Sequence, residues 1–285
     1  MTGIARTKAA DFKPEHFDWR VDGKVATITI NRPDRKNPLT FGSYDELGRT
    51  FRALAHVDDV KSLVITGAGG NFCSGADVGR MGGNSAQSLT PEDRSVGLRR
   101  TLDWVYRLAN LNRPVIAAVD GVAFGGGFSL ALTADFILAT PRVRFCQVFG
   151  NIGLIPDMGS AYLLPRVVGP RKAKELALTA RTIHIDEAQE LGIVHAVHEP
   201  DALMAAARAM AARFAKGSAT AQAGAKQLMD RSIYSTQAEM IEAEVAAQFK
   251  CRATDFHNEA VRRFAAKEPR LFDWDVMVKN EAKGG

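Results

Sequence analysis

Three short, predominantly apolar runs constrain this chain most: SLVITG at 62–67, PVIAAV at 114–119 and DFILAT at 135–140. None alternates with polar residues, and each is too short for a buried helix. Each therefore reads as a strand covered on both faces. Segments of helical period lie between them. In SYDELGRTFRALAHV, Leu47, Phe51, Leu54 and Val57 share one face, and RSVGLRRTLDWVYRLANL and FSLALTA continue the alternation. Ahead of them, HFDWRVDGKVATITINRP reads as a hairpin turning at Asp22-Gly23 and stopping at Asn31-Arg32-Pro33. Buried strands alternating with helices predict an α/β core with a mostly parallel sheet. Beyond Pro200 the pattern is helical throughout, from DALMAAARAMAARFAKG to DFHNEAVRRFAAK, and no good strand follows VHAVH. Two regions are expected: a core over residues 1–200 and a helical region over 201–285. Residues 79–91, polar and rich in Gly and Ser, read as a surface loop.

Bulk properties exclude several classes. With 285 residues, 46% hydrophobic and 24% charged, the chain can bury a sizeable core. The net charge of +5 suits an anionic ligand, but the basic residues form no run, so no nucleic-acid partner is expected. Cys73, Cys146 and Cys251 are too few and too scattered for a disulfide framework or a CxxC metal site. His195 and His198 lack an accompanying carboxylate or Cys cluster, so no metal is expected. MTGIARTKAADFKPEHFDW lacks the apolar stretch of a secretory leader, and no segment offers the roughly 20 apolar residues of a membrane span. The expectation is a cytoplasmic protein without a membrane partner.

Two glycine-bearing loops, TGAGGNFCSGADV and DGVAFGGGFSLA, follow buried strands. Loops at the carboxyl ends of strands are the usual ligand sites of α/β folds, and glycine lets a ligand approach backbone N–H groups. Gly125-Gly126-Gly127 opening an apolar helix would aim its N–H groups at a ligand oxygen. The glycines could equally serve only tight turns. Neither loop fits the GxGxxG or GxxxxGK[ST] nucleotide fingerprints, and Ser129 in GGFSLA lacks the GxSxG elbow of serine hydrolases. In GLIPDMGS, Asp157 reads either as a helix N-cap or as a catalytic acid/base.

The ordered set NRPDRKNPL, FCSGAD, RPVIAAVDGVAFGGGFSLAL, GLIPDMGSAYLLPRVVG and AVRRFAAKEPRLF resembles the crotonase, or enoyl-CoA hydratase/isomerase, superfamily over nearly the whole chain. The resemblance implies a spiral of ββα units with a C-terminal all-helical trimerisation region, assembling as a homotrimer or a dimer of trimers. It implies an acyl-CoA thioester substrate, with coenzyme A present only as part of that substrate and no separate cofactor. It also implies an oxyanion hole made by the N–H groups of Ala76 and Gly126, with Gly75, Asp77, Gly125, Ser129 and Phe149 as substrate-binding positions around it. Phe264 and Lys267 match terminal-helix positions that touch CoA in relatives; by composition alone they are a core aromatic and a solvated lysine.

The chain departs from the family's hydratases. Their two water-activating glutamates correspond to Ser129 and Phe149, neither of which can act as a carboxylate base. Asp157 instead resembles the acid/base of dienoyl-CoA isomerases and, most closely, of ring-epoxyphenylacetyl-CoA isomerases. An exposed Asp is a weak base, so the isomerase reading needs a pocket, expected from Phe149, Ile155 and Met158, that desolvates it. Three readings stay open: an isomerase using Ala76, Gly126 and Asp157; a hydratase holding water with Ser129 and Asp157; and a non-catalytic acyl-CoA-binding paralogue.

Overall fold

A computed structural model describes residues 8–77 and 90–284. The hairpin forms as expected: β1 (Asp18–Asp22) and β2 (Val25–Ile30) run antiparallel across Gly23, whose φ of +55° suits a residue without Cβ. Helix α1 (Phe41–Leu54) follows, then β3 (Ser62–Gly67), α2 (Pro91–Ala109) and β4 (Val115–Val119). Pro91 stands at the first position of α2, where a missing N–H costs nothing. Of the surface loop expected over 79–91, residues 79–89 lie outside the described residues.

Next come β5 (Val122–Phe124), α3 (Gly126–Leu132), β6 (Phe136–Ala139) and β7 (Arg144–Cys146). A 3₁₀ turn over Val148–Ile152 leads to α4 (Ser160–Val168), α5 (Pro170–Thr179), β8 (Thr182–Ile183), α6 (Ile185–Glu190) and β9 (Ala196–Val197). Among the described residues, one sheet has the order β1-β2-β3-β4-β6-β9, parallel except for the hairpin, and a smaller sheet has the order β5-β7-β8. The smaller sheet corrects the reading of DGVAFGGG as a loop throughout: Val122–Phe124 pairs in parallel with β7.

Alternation along the strands explains both the apolar runs and the layering. Leu63 and Ile65 of β3, with Val115, Ala117 and Val119 of β4, join Leu47, Phe51 and Leu54 of α1 and Trp104 and Leu108 of α2 in one core. Val64, Ile116 and Ala118 point the other way, onto Leu203, Ala207, Met210 and Ala211 of α7 (Leu203–Phe214). The Ser62 hydroxyl donates to Ala211 O at 2.9 Å and pins α7 to the sheet. The strand-free part of the chain thus begins with a helix that covers the core. Helices α8 (Ala219–Ser232), α9 (Gln237–Arg252), α10 (Asp255–Ala265) and α11 (Trp274–Gly284) complete the chain. No helix among the described residues is long and apolar enough to cross a membrane.

Candidate active site

The loop after β3 is clamped from two sides. Leu39 N donates to Gly75 O at 2.7 Å, and Asp77 N donates to Leu39 O at 2.9 Å. In such a bridge the intervening residue turns its own N–H the opposite way, so Ala76 N–H faces away from Leu39. On the other side, Cys73 N donates to Val122 O at 2.9 Å and Phe124 N donates to Cys73 O at 3.0 Å. The loop is therefore stitched to β5, which runs directly into α3. Gly126 is the first residue of α3, so its N–H has no intrahelical acceptor.

Glycine is what lets the two loops touch. A Cβ at Gly75 would sit 2.8 Å from Phe124 O and 3.2 Å from Gly126 N, and one at Gly127 would sit 2.1 Å from Cys73 O. Gly125 adopts φ +50°, ψ −120°, a turn that L residues with a Cβ avoid. The structure thus sets the Ala76 and Gly126 segments side by side, with Gly75 and Gly125 framing them. Phe149, 8% exposed, lays its ring edge over Gly125.

Asp157 arrives from the opposite side. Its backbone carbonyl, not its carboxylate, meets α4: Ser160 N donates to Asp157 O at 3.0 Å. The N-cap of α4 is Gly159, at φ +80°, and no side chain caps it. Asp157 is therefore not a side-chain cap. Its Oδ1 is buried and has no hydrogen-bond partner among the described residues. Burial pushes its carboxyl above the usual range, offset in part by its own backbone N–H. Met158, buried and held at φ +53°, links the two halves of the site: its sulfur lies 2.3 Å from where a Gly126 Cβ would stand. Of the residues expected to desolvate Asp157, Phe149 and Met158 are buried, but Ile155 is 79% exposed and takes no part.

Two of the expected substrate-binding residues have side chains engaged within the chain. Ser129 is fully buried in α3, and its hydroxyl is shared between Gly125 O at 3.2 Å and Asp157 O at 3.1 Å. It ties the Asp157 segment to α3 and has no hydrogen left for a water or a substrate. Asp77 is buried with Oδ2 3.1 Å from both Arg32 and Arg35, so its carboxylate locks the NRPDRKN turn onto the loop. Phe264 is 81% exposed, and with Lys267 it lines a cavity of about 760 Å³ formed by Phe256, Arg270, Leu271 and Phe272 among others. None of Ala76, Gly126 and Asp157 lines that cavity, so within one chain these two residues stand apart from the loops. Among the described residues no three His, Cys, Asp or Glu side chains gather as metal ligands.

Tyr44 and Trp104 are the site residues that pattern reading missed. Tyr44 stacks on Trp104 with ring centroids 6.1 Å apart, and its hydroxyl reaches Met158 Sδ at 3.9 Å. The signal was present: Tyr44 precedes Leu47, Phe51 and Leu54 at helical spacing, on the buried face of α1.

Comparison with known proteins identifies the family. The profile of the enoyl-CoA hydratase/isomerase family matches residues 20–275. The chain is 33% identical to a short-chain-enoyl-CoA hydratase of Clostridium acetobutylicum, covering 86% of this chain and 93% of that one. It is 31% identical to a 1,2-epoxyphenylacetyl-CoA isomerase of Escherichia coli, covering 88% and 96%. The crystal structure of an enoyl-CoA hydratase/isomerase from Cupriavidus metallidurans superposes with a TM-score of 0.85 at 35% identity, covering 92% and 97%.

Proposed function

Within the enoyl-CoA hydratase/isomerase family, to which this chain belongs, we propose an enzyme that migrates a double bond in an acyl-CoA thioester, with Asp157 carrying the proton. The observation that carries this reading is the Asp157 carboxylate: desolvated, without a partner at Oδ1, and joined through Met158 to Gly126. Asp157 takes a proton from one carbon of the acyl group. The electron pair of that C–H bond moves into the conjugated system and places negative charge on the thioester oxygen. The N–H groups of Ala76 and Gly126 donate to that oxygen. One such preorganised donor typically lowers the barrier by roughly 3–4 kcal/mol. Asp157 then returns the proton two carbons away, so nothing is gained or lost and no separate cofactor is needed. Relatives bearing both isomerase and hydratase names are consistent with an enolate shared by the two chemistries.

A hydratase would need a second proton-handling group, and the positions equivalent to the family's glutamates hold Ser129, committed to carbonyls, and Phe149. That favours the single-carboxylate reaction. The protein works in this reading as a cytoplasmic homotrimer or dimer of trimers. The test offers a 3-enoyl-CoA and a 2-enoyl-CoA to wild type and to Asp157→Asn. Expected are a shifted double bond with wild type and at least a 100-fold loss with the variant, in line with removal of a general base. A 3-hydroxyacyl product, tight binding without turnover, or turnover in the variant within a few-fold of wild type each overturns the reading.

A further inference from the structure

The proton transfer leaves a set of buried polar atoms around Asp157 unused. The Tyr44 side chain is buried, and the contact found for its hydroxyl among the described residues is a thioether at 3.9 Å, a weak acceptor. Asp157, the residue next to that thioether's Met158, has a buried Oδ1 without a donor. Ser160 Oγ and Trp104 Nε1 are likewise buried and unpartnered among the described residues. The Tyr44 ring cannot turn its hydroxyl elsewhere. Trp104 stacks on one face at an interplanar angle of 7°, and Phe41 abuts at 6.4 Å. Burial first, then the nearby ionisable Cys73 and Asp157, push the phenol well above its ordinary value, so it remains a donor at neutral pH.

A strong donor against Met158 and a strong acceptor on the adjoining residue are thus buried, and no hydrogen bond joins them among the described residues. Buried polar groups in native proteins almost always find partners, and leaving them bare costs more than a bond gains. One oxygen can serve both groups only if it accepts from the phenol and donates to the carboxylate. A carbonyl or ether oxygen has no proton to give; a hydroxyl-type oxygen does.

We propose that Tyr44 and Asp157 together hold one hydroxyl-type oxygen in the active site, Tyr44 donating to it and Asp157 accepting from it. The oxygen belongs either to the acyl group or to a water molecule. The inference rests on the reading that Asp157 faces the substrate. Several charged groups on the elements packed around it have partners of their own. Glu46 of α1 accepts from the backbone N–H groups of Glu15 and His16, while Asp103 and Arg107 of α2 pair with each other, Asp103 also with Arg52. The Cys73 thiol, pushed up to about 12 by burial, stays neutral.

The test compares wild type with Tyr44→Phe, which keeps the stack on Trp104. Both are titrated calorimetrically with butanoyl-CoA and 4-hydroxybutanoyl-CoA, and the pH profile of kcat/KM is followed with a 3-enoyl-CoA. If the acyl group supplies the oxygen, wild type binds the hydroxylated ligand at least about tenfold tighter, and Tyr44→Phe brings the two within about twofold. If water supplies it, wild type binds both alike. Tyr44→Phe then lowers kcat about tenfold with KM within about twofold, and moves the acid limb to higher pH, because the carboxylate loses a relayed donor. Either result sustains the proposal. It is overturned if the variant changes neither readout, or weakens both ligands equally while the acid limb stays in place, as a merely structural ring would. Asp157→Asn separates this inference from the isomerase reading. If that variant keeps its turnover while Tyr44→Phe abolishes a hydroxyl preference, the isomerase reading fails and Tyr44 keeps its role.

Discussion

At the scale of single residues, the site depends on what Asp157 is denied. Among the described residues no side chain donates to its buried Oδ1, so burial dominates and its carboxyl titrates above the ordinary carboxylate value. The acid limb of kcat/KM should therefore lie above the ordinary carboxylate range, and Asp157→Asn should erase it; a limb at the ordinary value would contradict a desolvated base. A raised folded-state pKa favours the fold at acid pH and costs stability as pH rises through it. Asp157→Asn should then melt about 2 °C higher than wild type at pH 7 and no higher below about pH 3, measured by calorimetry. The identity of Asp157 as a candidate was legible in GLIPDMGS, whereas its freedom from capping was not. That freedom depends on Met158 and Gly159 both turning to positive φ, which hands the cap position to Gly159. Ser129 misled for a related reason: spacing places it beside the site, but only coordinates show its hydroxyl spent on two carbonyls.

Neighbouring glycines make a sharper test of the same geometry. An added methyl at Gly127 meets the Cys73 carbonyl, a backbone atom that cannot yield without undoing the bridge to β5. Gly127→Ala should cost about 2–3 kcal/mol, read as a lowered urea midpoint. An added methyl at Gly126 meets only the end of the flexible Met158 side chain. Gly126→Ala should fold with a near-native midpoint and lose at least tenfold in kcat, as Met158 is displaced toward Asp157. Equal loss of stability in the two variants would show that the loops do not pack as described.

Among the secondary-structure elements, the apolar strands were legible because burial on both faces leaves few polar residues in the run. The sheet of β5, β7 and β8 was not. Its strands have three, three and two residues, too few to display a period, and it exists through pairing between segments distant in sequence. That small sheet seats Phe124 beside Gly75 and so decides where α3 begins. Helix α1, which carries Tyr44, is fastened at both ends. Thr40 and Ser43 form a capping box at its start, and buried Arg113 donates to the carbonyls of Leu54, Val57 and Val60 at its finish. Arg113→Met would strand the carbonyls of Val57 and Val60 and leave Leu54 O with the Val57 N–H alone. A loss of about 3 kcal/mol is expected by urea denaturation, with little change in the kcat of the protein that remains folded. A loss below about 1 kcal/mol would mean that water replaces the guanidinium without penalty.

The molecule as a whole leaves apolar surface that a single chain cannot cover. On α9, Ile241, Val245 and Phe249 stand four residues apart on one face, and Phe249 is 70% exposed. Met229, Ile233 and Tyr234 lie exposed at the end of α8, which packs against α9. A contiguous apolar face of this kind on a helical region marks a contact surface, and self-association is the occupant that the family reading supplies. Sedimentation at micromolar concentration should give three or six times the chain mass of 30.9 kDa. Phe249→Glu places a charge in the middle of the face, where a buried aromatic commonly contributes 2 kcal/mol or more to association. The variant should therefore shift toward monomer while keeping the far-UV dichroism of wild type, since an exposed helix face adds little to the fold of one chain. Because Phe264 and Lys267 stand apart from Ala76, Gly126 and Asp157 within a chain, the same variant also tests whether the site is whole without a neighbour. Isomerase activity that falls with the assembled fraction would make the contact part of the site, whereas activity indifferent to dissociation would leave each chain self-sufficient. A wild-type protein that sediments as a monomer would remove the assembly from the account, with the loops around Ala76, Gly126 and Asp157 untouched.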